Sequence, residues 1–182
     1  MNIIKTNIKG LIIIEPKIFK DSRGCFFEIW NAKKFKQLGI NQDFVQDNQS
    51  VSSKGVLRGL HFQNPPYTQA KLVRVINGSV LDVAVDLREN SITYGMHFSV
   101  ILSEKNNKSL FIPKGFAHGF LSLEDNTVFS YKCSANYNKD SEKSLLWNDE
   151  DLKIDWKIDN PLVSEKDLQA DLFKNFKTKF ND

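Results

Sequence analysis

Cysteine and histidine are scarce in this chain, and their scarcity narrows the chemistry open to it. Only two cysteines are present, Cys25 and Cys133, and they lie far apart without the paired spacing of a zinc site or a disulfide framework. We therefore expect a reducing compartment, the cytoplasm. Histidine occurs only as His61, His97 and His118, so an enzyme that uses imidazole has few residues to choose from.

Long apolar runs and a strong charge of one sign are also missing. The apolar stretch near the N-terminus, residues 11–14, is too short for a signal-peptide core or a spanning helix. The net charge is +3, and the lysines are scattered among acidic residues, so neither a nucleic acid nor a membrane is expected as a partner. The length of 182 residues, without repeats or a proline-rich linker, suits one continuous domain, residues 1–182.

Short β-branched and aromatic runs, separated by turn residues, dominate residues 51–132. This texture favours an antiparallel sandwich or barrel. Strands are predicted at residues 11–14, 24–30, 56–62, 96–102, 109–112, 116–123 and 127–135. Two helices are predicted as well: residues 32–38, which end before Gly39, and residues 164–177, where Ser164 is the cap and Asp167 the third helical residue.

The pair Asn77-Gly78 lies between two strand-like runs and predicts a two-residue hairpin with a type I′ turn. In that register Ile76 pairs with Ser79, Val75 with Val80, Val73 with Asp82 and Lys71 with Ala84. Lys71 and Asp82 then become diagonal neighbours on one face of the hairpin.

Two of the histidines lie in segments that suggest chemistry. His61 follows Arg58 and Gly59 in an apolar strand, where a neutral imidazole can act as a base towards a carbon acid; a hydrogen-bonded core histidine is the alternative. His118 ends a Pro-x-Gly-x-x-His pattern that resembles the second conserved motif of cupins. One imidazole in each motif is too few for a divalent metal site, which usually needs three or four ligands, so no metal is expected.

Several motifs in order along nearly the whole chain resemble the dTDP-4-dehydrorhamnose 3,5-epimerase family. The motifs are Asp21-Ser-Arg23-Gly-Cys-Phe-Phe-Glu28, Gln46-Asp-Asn48-Gln-Ser50, Gly55-Val-Leu-Arg58-Gly-Leu-His61-Phe-Gln63, Gln69-Ala-Lys71-Leu-Val-Arg-Val75, Asp82-Val-Ala-Val-Asp86-Leu-Arg88, Ser91-Ile-Thr93-Tyr-Gly95, Pro113-Lys-Gly-Phe-Ala-His118-Gly-Phe120 and Ser164-Glu-Lys-Asp167. Such a series at matching spacing is far more specific than any single motif.

The resemblance implies an all-β, cupin-type jelly-roll barrel with short peripheral helices, one of them near the C-terminus. It also implies a homodimer, a dTDP-linked sugar as substrate and no cofactor. Residues 1–50 would contribute to the dimer and the nucleotide site, residues 51–135 would form the barrel core, and residues 136–182 a C-terminal loop and helix.

Site residues carry over from the family residue by residue. His61 becomes the general base, oriented by Asp167; Lys71 lies near the enolate oxygen, and Tyr131 exchanges a proton on the opposite face. Substrate contacts fall on Arg23, Glu28, Gln46, Asn48, Arg58 and His118, with the first two reaching into the partner's site. From the hairpin register we infer that Asp82 supports the Lys71 ammonium.

Each of these residues also has an ordinary structural interpretation. Lys71 fits a surface strand, Asp167 a charge at a helix N-terminus and Tyr131 a core aromatic residue, and their joint occurrence in family order favours the functional one. Strict strand alternation puts Arg58 and His61 on opposite faces, so we expect a bulge at Gly59 to bring them together.

The resulting functional hypothesis is epimerisation at C3 and C5 of dTDP-4-keto-6-deoxy-D-glucose, which gives dTDP-4-keto-L-rhamnose through an enolate. This reaction requires a base near the carbon, a hydrogen-bond donor at the enolate oxygen and an acid on the other face of the sugar, and His61, Lys71 and Tyr131 have the functional groups for these three roles. The alternatives are a single-site epimerase acting at C3 or C5, a metal-dependent cupin enzyme and a non-catalytic nucleotide-sugar binder.

Overall fold

The computed structural model describes residues 1–180 of the chain, and most of their regular structure is β-strand. In chain order the strands and helices are β1 (Asn2–Lys5), β2 (Ile12–Glu15), β3 (Ile18–Asp21), β4 (Gly24–Phe27), α1 (Ala32–Gln37), β5 (Gln46–Ser52), β6 (Val56–Gln63), β7 (Lys71–Asn77), β8 (Ser79–Asp86), β9 (His97–Ser103), β10 (Ser109–Ile112), β11 (Phe116–Ser122), β12 (Thr127–Cys133), β13 (Glu142–Ser144), β14 (Leu162–Val163) and α2 (Glu165–Leu168). A short 3-10 helix, Phe173–Asn175, follows α2.

The strands form two large sheets and one separate hairpin. The first sheet has the order β1-β2-β10-β7-β12-β5, and the second has the order β13-β6-β11-β8-β9, with β14 added in parallel to β6. Strands β3 and β4 pair only with each other. Two facing antiparallel sheets, between which the chain passes back and forth, form a jelly roll. The predicted all-β, cupin-type barrel with short peripheral helices is therefore confirmed.

Apolar side chains from both sheets fill the barrel interior. Val73 and Phe129 of the first sheet pack in one buried cluster with Val80, Ala84 and Phe120 of the second. The other face of the second sheet is covered by the chain that follows β13, whose buried side chains include Leu145, Leu152, Trp156 and Phe180. Every residue of β8 is buried because both faces of this strand are covered.

The predicted hairpin at Asn77-Gly78 is wrong. Strand β7 pairs with β10 and β12, whereas β8 pairs with β11 and β9, so the chain crosses from one sheet to the other at Gly78. Gly78 does have a positive φ of +81°, and a Cβ there would lie 2.6 Å from Thr127 Oγ1. A hairpin and a barrel corner both need a sharp turn between two half-buried strands, so both show alternating apolar residues around a glycine. The sequence pattern alone therefore does not distinguish them.

The helix predictions are partly confirmed. Helix α1 begins at Ala32 as predicted, with Asn31 as its cap. Ser164 caps α2 by accepting a hydrogen bond from Asp167 N, but this helix ends at Leu168, so a helix over residues 164–177 is wrong. The chain leaves helical geometry because Asp171 bridges to Leu145 and Asp149 accepts a hydrogen bond from Phe173 N.

Strands β1, β3, β5, β13 and β14 lie outside the predicted strands. Across residues 1–180, helices are too short and too polar to cross a membrane.

Candidate active site

A cavity of about 480 Å³ lies inside the barrel, between the two sheets and under the segment around α2. Its wall consists of Ser50, Val56, Leu57, Arg58, His61, Lys71, His118, Phe120, Phe129, Tyr131, Leu162, Val163, Ser164, Lys166 and Asp167. A second cavity of about 360 Å³ shares His61, Lys71 and Tyr131 with it and continues towards Gln46 and Asn48. These three shared side chains therefore lie where the two cavities meet.

His61 on β6 forms a dyad with Asp167 on α2. The His61 Nε2 atom lies 2.5 Å from Asp167 Oδ1, and the Asp167 residue is 3% exposed. Burial acts to raise the pKa of Asp167, but hydrogen bonds from His61 and the Gly59 N–H, with the charge of His61, outweigh it and lower the pKa. Asp167 is thus a carboxylate that accepts the Nε2 proton, and this tautomer leaves Nδ1 of a neutral His61 as the basic nitrogen.

Gly59 explains how Arg58 and His61 come to line one cavity. Along β6 and β11, His61 pairs with His118 and Arg58 with Phe120, so three steps on β6 match two on β11. This extra residue is a β-bulge, and the bulge expected at Gly59 is confirmed. Gly59 has a φ of +134°, and a Cβ on it would lie 2.5 Å from Gly119 Cα. The backbones of the paired strands β6 and β11 thus lie so close together here that no side chain fits at this point.

Lys71 begins β7 and is buried, with 8% exposure. Its Nζ donates a long hydrogen bond, 3.4 Å, to the His61 carbonyl oxygen. Burial lowers the pKa of Lys71, although the nearby acidic groups of Cys133, Asp82 and Glu142 act to raise it. The remaining N–H groups of Lys71 are available to an oxygen atom in the cavity.

Asp82 does not lie diagonal to Lys71 on a hairpin, so that expectation is wrong. Asp82 is on β8, in the sheet opposite Lys71, and its two carboxylate oxygens lie 2.9 and 3.1 Å from His118 Nε2. Asp82 acts on Lys71 through its charge, which acts to raise the pKa of Lys71. Burial lowers the pKa of His118 despite this carboxylate. Asp82 and His118 form a second histidine–carboxylate pair beside the first.

Tyr131 on β12 faces the barrel interior from the first sheet. It packs against the interior cluster next to Phe129 and is half-buried. Burial raises the pKa of Tyr131, so the phenol keeps its proton at neutral pH and can donate it. His61 and Tyr131 belong to opposite sheets, and Lys71 lies with them at the junction of the two cavities.

The residues predicted to bind substrate divide into two groups. Gln46 and Asn48 lie on β5, where Gln46 Nε2 donates to Asn48 Oδ1 at 3.0 Å, and both line the second cavity. Arg58 lines the first cavity, with its Nε donating to Ser52 Oγ at 3.2 Å.

Arg23 and Glu28 lie away from both cavities of their own chain. Arg23 is exposed at the β3–β4 turn and pairs with Asp21 at 2.6 Å, while Glu28 pairs with Lys34 at 2.7 Å. Their contribution to a partner's site stays a prediction.

The sequence interpretation missed several polar residues of the cavity walls. Lys166 and Glu142 form an ion pair of 2.5 Å at the edge of the cavities, and Ser50 and Cys133 lie in the walls themselves. Ser50 shares the inward face of β5 with Asn48, so strand alternation would have found it. Glu142 carries no such signal, because it follows an irregular loop.

The arrangement is suited to moving protons next to a carbonyl group. It offers an oriented imidazole, buried N–H donors and a protonated phenol around one cavity. Within residues 1–180, no three His, Cys, Asp or Glu side chains are grouped so that they could hold a metal ion. The fold and the site together define the class of protein: a cupin-type barrel enzyme whose chemistry is acid–base catalysis.

Comparison with known proteins gives the family. The sequence model of the dTDP-4-dehydrorhamnose 3,5-epimerase family matches residues 5–175. The dTDP-4-dehydrorhamnose 3,5-epimerase of Shigella flexneri is 50% identical over 174 residues, which cover 95% of this chain and 96% of that protein. The chain therefore belongs to the dTDP-4-dehydrorhamnose 3,5-epimerase family, a family of isomerases.

Solved structures agree with this assignment. The dTDP-4-dehydrorhamnose 3,5-epimerase of Elizabethkingia anophelis superposes with a TM-score of 0.93 at 53% identity, over 96% of this chain and 97% of that chain. The dTDP-6-deoxy-D-glucose-3,5-epimerase of Legionella pneumophila, crystallised in complex with dTDP-4-keto-L-rhamnose, also has a TM-score of 0.93, at 49% identity over 97% of this chain and 94% of that chain.

Proposed function

We propose that the protein epimerises C3 and C5 of dTDP-4-keto-6-deoxy-D-glucose and so produces dTDP-4-keto-L-rhamnose. The observation that carries the proposal is the meeting of His61, Lys71 and Tyr131 at one junction of two cavities. The family membership supports the same reaction, and the ligand of the Legionella relative is the expected product.

Each epimerisation is a proton exchange through an enolate. Nδ1 of His61 takes the proton from the carbon next to the C4 ketone, and the electron pair of the broken C–H bond moves onto the C4 oxygen. N–H groups of Lys71 stabilise the negative oxygen, and Asp167 stabilises the imidazolium. The Tyr131 hydroxyl then gives a proton to the opposite face of the same carbon, which inverts the centre, and solvent restores both groups.

The proposal extends to the assembly and location of the protein. Arg23 and Glu28 are polar groups near an exposed hairpin and lie away from the cavities of their own chain. In a homodimer they would complete the nucleotide site of the partner. Cys25 is a free and exposed thiol, which suits a cytoplasmic enzyme.

Deuterium exchange tests the reaction directly. We expect incubation with dTDP-4-keto-6-deoxyglucose in deuterated water to place solvent deuterium at both C3 and C5, as followed by NMR of the sugar ring. Label at only one carbon would make the protein a single-site epimerase. Absence of both exchange and turnover would contradict the proposal and favour a binding role.

The role of Tyr131 has its own test. In Tyr131→Phe, we expect His61 to remove and return the proton on the same face, so deuterium still enters while the inverted product falls by roughly a hundredfold or more. Tyr94→Phe is the matched control, because Tyr94 lines neither cavity. Unchanged inversion in Tyr131→Phe would show that another group is the acid.

A further inference from the structure

Glutamine side chains hold the loop between β12 and β13 at residues 135–138. The four hydrogen bonds run from Gln69 Nε2 to Ala135 O at 2.8 Å, from Gln63 Nε2 to Asn136 O at 3.2 Å, from Tyr137 N to Gln46 Oε1 at 2.8 Å and from Asn138 N to Gln63 Oε1 at 2.7 Å. All three glutamines line the second cavity. The backbone of this loop is therefore fixed from the side of the cavity.

Gln63 makes more of these bonds than the other two glutamines. Its Nε2 also donates to Tyr67 O at 2.7 Å, so one amide joins two loops, residues 64–70 and 134–141. Both N–H groups of the amide are then engaged, and its carbonyl oxygen accepts from Asn138 N. The Gln63 residue is only 4% exposed. With no N–H left for a ligand, Gln63 can affect ligand binding chiefly through the loops that it joins.

The loop of residues 134–141 brings the side chain of Tyr137 to the rim of the second cavity. Tyr137 lines that cavity, is 56% exposed and donates from its hydroxyl to Glu142 Oε2 at 2.9 Å. The junction with the first cavity is formed by other side chains, among them His61 and Lys71. A ligand whose reacting sugar lies at the junction would meet this loop with a part further from the reacting carbons.

We propose that Gln63 is a positioning residue for substrate binding, which holds residues 135–138, and with them Tyr137, in the conformation that the bound nucleotide sugar requires. This inference rests on the proposed function, because it takes a nucleotide sugar as the occupant of the cavities. A loop that already has its bound conformation loses less conformational freedom on binding, so the ligand binds more tightly. The loop supplies no group to the proposed proton transfers, so the rate of the bound substrate does not depend on Gln63.

The test compares two substitutions of Gln63 in steady-state kinetics and in calorimetric binding of dTDP. Gln63→Met removes all three hydrogen bonds, whereas Gln63→Glu keeps an acceptor for Asn138 N but places an oxygen against the carbonyl groups of Tyr67 and Asn136. In both variants we expect KM for dTDP-4-keto-6-deoxyglucose and Kd for dTDP to rise roughly tenfold, with kcat within about threefold of the wild type. Gln49→Met, on the exposed face of β5, is the matched control and changes none of these values.

A double variant shows whether Gln63 acts through the loop. If it does, Gln63→Met adds little to the loss of dTDP affinity that Tyr137→Ala already causes, because both changes remove the same positioned side chain. Losses that add in full would show that Gln63 affects binding by another route and would contradict the inference.

Thermal unfolding separates positioning from a purely structural role. A purely structural role lowers the Tm and leaves KM, kcat and Kd of the folded protein unchanged, which overturns the inference. Gln69→Leu removes only the bond to Ala135 O, so it disturbs the same loop more mildly, and we expect Kd for dTDP to rise roughly threefold. If the Gln63 variants are unfolded at the assay temperature, Gln69→Leu decides, and an unchanged Kd in it overturns the inference.

Failure of the inference and failure of the proposed function give different results. Binding of dTDP is measured without turnover, so normal deuterium exchange in the wild type with unchanged Kd in Gln63→Met and Gln69→Leu overturns only the inference. A wild type that binds dTDP but shows no deuterium exchange overturns only the proposed reaction. A wild type that does not bind dTDP overturns both.

Discussion

Replacement of Asp167 by Asn tests the dyad at the centre of the proposed mechanism. The change keeps the size of the side chain and the cap from Ser164, but it removes the negative charge 2.5 Å from His61 Nε2. A hydrogen bond to a charged group contributes about 1.5–3 kcal/mol. If that contribution arises as His61 becomes an imidazolium, kcat falls by roughly ten- to a hundredfold, since each 1.36 kcal/mol is about tenfold in rate.

The measurement is kcat and KM for dTDP-4-keto-6-deoxyglucose, with Glu165→Gln as the control. Glu165 is an exposed carboxylate in the same short helix, so it undergoes the same chemical change without contact to the imidazole. We expect KM to change little in Asp167→Asn, because Asp167 acts through His61. A kcat within twofold of the wild type would refute the proposed role of the dyad.

The same variant should show a pH-dependent loss of stability. The pKa of Asp167 in the folded protein lies below its ordinary value of 3.8, so the carboxylate stabilises the fold above pH 3.8. This stabilisation disappears as the pH falls through the lower, folded pKa. The Tm difference between wild type and Asp167→Asn should therefore shrink as the pH falls below 3.8. A difference that grows in acid would contradict this linkage.

Two further predictions concern buried positions of the barrel. Lys71→Met should abolish turnover yet raise the Tm at neutral pH, because the lowered pKa of Lys71 means that its buried charge destabilises the fold. This gain in Tm should shrink as the pH rises from the folded pKa of Lys71 towards 10.5, where the wild type loses the charge. A gain in Tm that does not depend on pH would contradict this reasoning. In chemical denaturation, Gly59→Ala should lower the free energy of unfolding by about 2 kcal/mol or more beyond the loss in Gly24→Ala. Both glycines have a positive φ, +134° and +132°, but only at Gly59 would the added Cβ clash with Gly119. Equal losses in the two variants would show that the backbone moves to relieve the clash.

Local patterns predicted nine of the fourteen strands and missed β5, which carries part of the candidate site, and they did not predict which strands pair. Strand β10 and the start of α1 agree with the pattern to the residue, because their ends carry turn or capping residues. The pairing of β7 depends on β10 and β12, which lie far along the chain. Alternation reports only that one face is buried, so it could not decide between a hairpin and a corner at Gly78.

The residues of the candidate site were accessible to sequence reasoning to different degrees. His61, Lys71 and Tyr131 came from the order of family motifs, and their meeting at one cavity junction is what the structure adds. Glu142 lies in a segment without a motif, and its distance from Lys166 depends on how the C-terminal chain folds back over β6. No local pattern encodes that return.

One signal in the sequence does mark the cavity, although it needs the sheet assignment to be recognised. Lys71, Asp82 and His118 each occupy an inward position on a strand whose other inward residues are apolar core: Val73 and Val75, Val80 and Ala84, and Phe116 and Phe120. A buried polar group is unfavourable unless it is paired, and here Asp82 pairs with His118 while Lys71 has only a long bond to a carbonyl. Lys71 thus makes the weakest hydrogen bonds of the three and would be stabilised most by an anionic oxygen in the cavity. The proposed mechanism places the enolate oxygen at this position.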